Sequence, residues 1–124
     1  ITATPDNSLT EIHKTALGAE DSVKWEYYSN TIDVVEKLKM EGYTIVSVEQ
    51  VEQSIKLDEF KADSSKHYAL ILGNEVKGVQ QEVVDISDIS LEIPQYGTKH
   101  SLNVSVSAGI VLWEFAKQLK NMLD

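Results

Sequence analysis

The chain has 124 residues, 42% of them hydrophobic and 25% charged, and a formal net charge of -9. That length sustains one modest core and excludes two ordinary domains. The lack of cysteine excludes a disulfide framework and a thiolate metal site and fits a reducing, cytoplasmic compartment, and the longest apolar runs fall far below the roughly 18 to 20 residues of a membrane-spanning helix.

In chain order, residues 1–4 read as the tail of a strand and residues 5–8 as a turn, because Pro5 fixes φ and Asp6, Asn7 and Ser8 bond back to the local backbone. A short helix is expected over about 9–17, stopped by Gly18. Residues 23–28 alternate with aromatic residues and predict a strand with Trp25 and Tyr27 on one face. Asn30 is a natural cap for a helix over 31–41, where Ile32, Val35 and Leu38 form one stripe, and Gly42 ends it. Residues 43–49 carry Thr44, Ile45, Val46 and Val48, the composition of a strand buried on both faces of a parallel sheet.

Residues 50–66 read as polar and mostly loop, with Leu57 and Phe60 pinning the segment to the core. A second buried strand is expected over 68–72, a short helix over 79–84 and a third strand over 89–93. Strands alternating with helices predict an open α/β sheet whose ligands gather beyond the carboxyl ends of its strands. Gly73-Asn74-Glu75 and Glu49-Gln50 fall on that edge. Residues 101–107 alternate small polar and apolar residues, a pattern that propensity alone assigns to a strand.

Two segments carry the chemistry. Gly73-Asn74-Glu75-Val76-Lys77-Gly78 lacks the Lys-Ser/Thr close of a phosphate loop and the spacing of a dinucleotide fingerprint. Ile93-Pro94 and the stretch from Gly97 through Ser101, Leu102, Asn103, Val104 and Ser105 follow it. Together they resemble the second and third motifs of the SpoU (TrmH-like) branch of the SPOUT RNA methyltransferases, and residues 13–19 are similar to the less distinctive middle region of that family. Gln95 stands where many relatives carry methionine.

The resemblance implies a SPOUT α/β knot: an open, mostly parallel sheet flanked by helices, with the C-terminal end drawn through a loop into a deep trefoil knot. It makes residues 101–107 the exit from a loop and the start of a final helix, capped by a serine or asparagine and running to about Met122. It implies S-adenosylmethionine as cofactor and a ribose 2′-hydroxyl of tRNA or rRNA as acceptor. Gly73, Asn74 and Glu75 are then cofactor-binding, with Ile93, Pro94 and Leu102 as walls for the adenine, and Ser101 and Asn103 lie near the methyl group and the ribose. It implies a homodimer through the last helix and the knot, since in the family the active site lies close to the subunit interface; in the sequence itself, Val106, Ile110, Trp113 and Leu112, Ala116, Leu119 cover more than one stripe, so that one side can face the core and another a second subunit.

The family's first motif carries an asparagine and a catalytic arginine, yet all eleven basic residues here are lysines. Residues 1–124 are therefore expected to be a single SPOUT domain lacking its first segment and not catalysing alone, whether it holds cofactor well or poorly. A catalytically silent SPOUT module for cofactor or RNA recognition is the rival, and a generic nucleotide-binding α/β domain the third reading. The charge bears on RNA: residues 6–59 hold five lysines against twelve acids, whereas residues 93–124 hold three against two. Phosphate binding rewards clustered cations, so the acidic N-terminal part opposes it and the C-terminal third does not. His13, His67 and His100 share no metal-ligand spacing, and no metal is expected. Of the three, His100, beside the third motif, is the one candidate for RNA or cofactor contact. Trp25 and Trp113 read as core or interface residues.

Overall fold

The computed structural model describes residues 24, 26–74, 78–95 and 103–120. They form α1 (Thr31–Met40), β1 (Tyr43–Val48), β2 (Ile55–Lys56), a 3-10 turn (Leu57–Glu59), β3 (His67–Leu72), α2 (Gln81–Ile86), β4 (Ile89–Glu92) and α3 (Val104–Leu119). The expected N-terminal strand end and the helix over 9–17 lie outside the described residues.

Helix α1 starts where its cap predicts: the Asn30 side chain accepts from the Ile32 N–H at 2.9 Å. Asp33 in the first turn and Lys37 and Lys39 in the last oppose the helix dipole, and Gly42, at φ 94°, carries the chain out of the helix. Val35 is completely buried while Ile32 and Leu38 are half-buried beside it, the stripe read from the sequence.

The four strands are parallel in the order β2-β4-β1-β3. Strand β1 lies inside this sheet, paired on one side with β3 from Tyr43↔His67 to Val48↔Leu72 and on the other with β4. Its consecutive residues feed two cores. Ile45 joins Ile71, Val35, Val79 and Val83 under α1 and α2, whereas Val46 joins Leu91, Leu57, Phe60, Val111 and Phe115 under α3. Burial on both faces is what the unbroken apolar run demands. Each fully buried aliphatic side chain here contributes about 1.5–3 kcal/mol.

Ser47 is fully buried and is satisfied by a hydroxyl pair with Ser87, whose Oγ also donates to the Val83 carbonyl at 2.7 Å. Asp88 closes the same side of the sheet. Its carboxylate accepts from the Ile45 N–H at 2.8 Å, and its own N–H donates to the Ile45 carbonyl at 2.9 Å.

Helix α3 resolves the conflict over residues 101–107 in favour of helix from Val104 onward. The Asn103 side chain accepts from the Ser105 N–H at 2.8 Å, and the Asn103 carbonyl takes the Ser107 N–H at 2.9 Å. The buried positions Val111 and Phe115, flanked by half-buried Ala108 and Leu119, recur every three or four residues, a period only a helix can turn inward. Phe60, Tyr68 and Phe115 meet with ring centroids 5.1–6.1 Å apart. Gln118 adds a polar lock: its amide donates to the Phe60 carbonyl at 3.0 Å, and its carbonyl accepts from the Ala62 N–H at 2.6 Å.

Two expectations are corrected. Residues 26–28 form no strand; Tyr27 and Tyr28 are each 46% exposed, so their alternation serves no buried face. The segment 50–66 is mostly loop, as read, and within it Ile55–Lys56 pairs with Leu91 and Glu92 and a 3-10 turn follows; a two-residue strand is too short to show a period. The core stripe of α3 is Val111 and Phe115, while Val106, Ile110, Leu112 and Trp113 are 37–68% exposed. The helix extends through Leu119, and residues 121–124 lie outside the described residues.

Candidate functional site

The carboxyl ends of β4, β1 and β3 lie side by side, and they deliver Ile93, Glu49 and Gly73 in that order along one edge. After β3 the chain turns back on itself: Asn74 and Gly78 form an isolated antiparallel bridge, with the Gly78 N–H donating to the Asn74 carbonyl at 2.9 Å. The space a Cβ on Gly73 would take is filled by the Gly78 carbonyl group and the Val79 nitrogen. Gly78 itself sits at φ 68°, a conformation that L side chains avoid. Both glycines are thus required for the loop to close.

Glu49 supports this loop from below. Its carboxylate accepts from the Val79 N–H at 2.8 Å and borders Gly78, while its own N–H donates to the Leu91 carbonyl of β4 at 3.0 Å. Ser54 fastens the segment after β1 to the end of β4, donating to Glu92 Oε1 and the Val51 carbonyl, each at 2.8 Å. A small open hollow under the loop is lined by Thr31, Leu72, Gly73, Gly78, Val79 and Gln80, and joins it to the start of α1.

Of the residues singled out from the sequence, Gly73 and Asn74 lie on the loop after β3, and Ile93 and Pro94, both half-buried, leave the end of β4. Asn103 caps α3 and is exposed. Glu75, Ser101 and Leu102 lie outside the described residues, as do His13, His100 and Trp25. His67 begins β3 at the opposite end of the sheet, its ring 6.1 Å from that of Tyr43. Trp113 is 68% exposed rather than core. Glu49 was placed on the ligand edge by the sequence but given no role; an acid closing a buried strand was the available signal.

Chemically, the described edge combines half-buried apolar side chains with a glycine loop of backbone donors and acceptors. Such a lining suits a flat heterocycle bearing few polar atoms. Among the described residues no group of three His, Cys, Asp or Glu side chains is arranged to hold a metal ion, and no helix is long and apolar enough to cross a membrane.

The family model of the SpoU rRNA Methylase family matches residues 2–113. The chain belongs to that family. Among relatives of this SpoU chain, the tRNA (guanosine(18)-2'-O)-methyltransferase of Aquifex aeolicus is 38% identical over 102 residues, covering 80% of this chain and 47% of the relative. The crystal structure of the A. aeolicus TrmH/SpoU tRNA modifying enzyme superposes with a TM-score of 0.78 at 34% identity, over 89% of this chain and 55% of that one. The AdoMet-bound rRNA methyltransferase of Sinorhizobium meliloti gives a TM-score of 0.78 at 26% identity, over 95% of this chain and 44% of that one. The SpoU chain spans about half the length of these relatives.

Proposed function

We propose that this SpoU chain serves methyl transfer from S-adenosylmethionine to a ribose 2′-hydroxyl of tRNA or rRNA. The observation that carries the proposal is the closed glycine loop of Gly73 and Gly78 on the same sheet edge as Ile93 and Pro94, two strands apart. The names of the A. aeolicus and S. meliloti relatives support the same chemistry.

In this reading Gly73, Asn74 and Glu75 offer backbone and carboxylate partners to the cofactor's polar atoms, and Ile93, Pro94 and Leu102 form the apolar walls of the adenine slot. When bound, the cofactor supplies an electrophilic methyl group on a sulfonium. Ser101 and Asn103 lie near the reacting atoms and orient the acceptor hydroxyl, which is where positioning gains most. The C-terminal end threads the deep trefoil knot that shapes this slot. The exposed apolar residues Val106, Ile110 and Trp113, which share one stripe of α3, make the homodimer contact, with Leu112 to one side, a surface that water otherwise disfavours. The working compartment is the cytoplasm.

One composition fact favours a second reading. No guanidinium is available among the 124 residues, so a catalytically silent module for cofactor or RNA recognition is the alternative. The test is transfer of labelled methyl groups from S-adenosylmethionine to total RNA, followed by nuclease mapping, for this chain alone and for a full-length relative as control. Label at a ribose 2′-oxygen supports the first reading. Cofactor binding without transfer by this chain alone fits both readings; the second is supported if joining the chain to a segment that bears the family's first motif restores no transfer.

A further inference from the structure

Glu49 belongs to neither of the motifs that carry the family resemblance, yet it is bonded to the residue that follows the first, Val79, and to Leu91, two residues ahead of the second. Its carboxylate holds the Val79 N–H at 2.8 Å and fills the space beside Gly78; its backbone N–H holds the Leu91 carbonyl at 3.0 Å, two residues before Ile93. The second carboxylate oxygen takes the Gln50 N–H at 3.3 Å. Strand β1 is paired on both sides, so its end is a fixed point from which to measure. The described part of the loop closes through the Asn74–Gly78 bridge, and Gly78, at φ 68°, has the backbone freedom to leave that conformation.

We infer that Glu49 is a positioning residue, whose carboxylate fixes the glycine loop at the distance from β4 that the cofactor requires. The inference rests on the proposed S-adenosylmethionine site and adds a residue to it. The carboxylate touches no ligand in this scheme. It acts by holding Val79 and Gly78, so its loss loosens the loop without disturbing the sheet.

The experiment compares E49A, E49D and E49Q with the unsubstituted chain by amide hydrogen exchange, urea unfolding and S-adenosylmethionine calorimetry. In E49A the Val79 N–H loses its acceptor and is expected to exchange at least tenfold faster, while the Ile45 and Val46 amides of β1 keep their protection. Cofactor affinity is expected to fall at least tenfold. E49Q retains an oxygen acceptor and is expected within threefold of the unsubstituted chain, a rescue that a purely structural role for the charge does not produce. E49D withdraws the acceptor by one methylene and reads the same contact should E49A fail to fold. Unchanged Val79 exchange in E49A or E49D overturns the inference, as does unchanged affinity in a chain that binds. If the unsubstituted chain binds no S-adenosylmethionine, the cofactor site itself is refuted, and the exchange data then judge the Glu49 contact separately.

Discussion

The Gly78 backbone fills the space that a side chain on Gly73 would need. The two residues close the loop after β3 by mutual exclusion: one gives up its Cβ so that the other's peptide can approach, and the Asn74–Gly78 bridge then holds them. Gly73→Ala must therefore push the loop outward. The expected outcome is a loss of about 1–3 kcal/mol in urea unfolding, with S-adenosylmethionine affinity reduced at least tenfold by calorimetry. An alanine variant that binds as the parent does would show that loop closure is irrelevant to the site.

Gln118 ties the end of α3 to the backbone at Phe60 and Ala62. Truncation leaves a half-buried N–H and a carbonyl without their partner. Gln118→Ala is expected to cost about 1–3 kcal/mol, measured by chemical denaturation, with faster exchange of the Ala62 amide as the local signature.

Phe115 is 6% exposed and touches both Phe60 and Tyr68. Phe115→Ala is expected to cost about 3–5 kcal/mol, a large part of the roughly 5–15 kcal/mol that holds an ordinary domain together. The thermal midpoint should fall steeply, and a midpoint within a degree or two of the parent would remove α3 from the core.

Glu114 is held below the usual glutamate value of 4.5, first by the hydrogen bond from Gln118 and then by Lys117. A carboxylate whose pKa is depressed on folding contributes stability that is complete above its unfolded value and disappears as the pH falls through its folded one. Acidification below 4.5 should therefore weaken the α3 contact, and Glu114→Gln should flatten that part of the stability profile. The same acid sensitivity in the Gln variant would assign it elsewhere.

Leu112 is 56% exposed and Trp113 68%. Trp113→Glu is expected to leave the fold and urea midpoint nearly unchanged while shifting a dimer to monomer in sedimentation velocity. A parent chain that sediments as a monomer at high concentration would refute the proposed contact outright.

Much of the architecture was legible because its signals are local. Asn30 and Gly42 mark the ends of α1, and the apolar runs around Ile45 and Ile71 are short enough to be strands yet too continuous to face water on one side. The strand expected at 23–28 failed for the converse reason. Alternating aromatic residues satisfy propensity, but a strand exists only where another edge pairs with it, and Tyr27 and Tyr28 remain exposed. Ile55–Lys56 shows the same principle reversed, because two residues carry no period and became a strand only through the free edge of β4.

The sequence by itself determined the family, the parallel α/β class and the cap that starts α1, since motif order, apolar periodicity and side-chain-to-backbone bonds act over a few residues. Tertiary structure alone decided the order β2-β4-β1-β3, the inward turn of Val111 and Phe115 in place of Trp113, and the meeting of Glu49 with Val79 thirty residues away. Those choices rest on which surfaces bury each other and which buried donors find acceptors. No local window of residues contains that information.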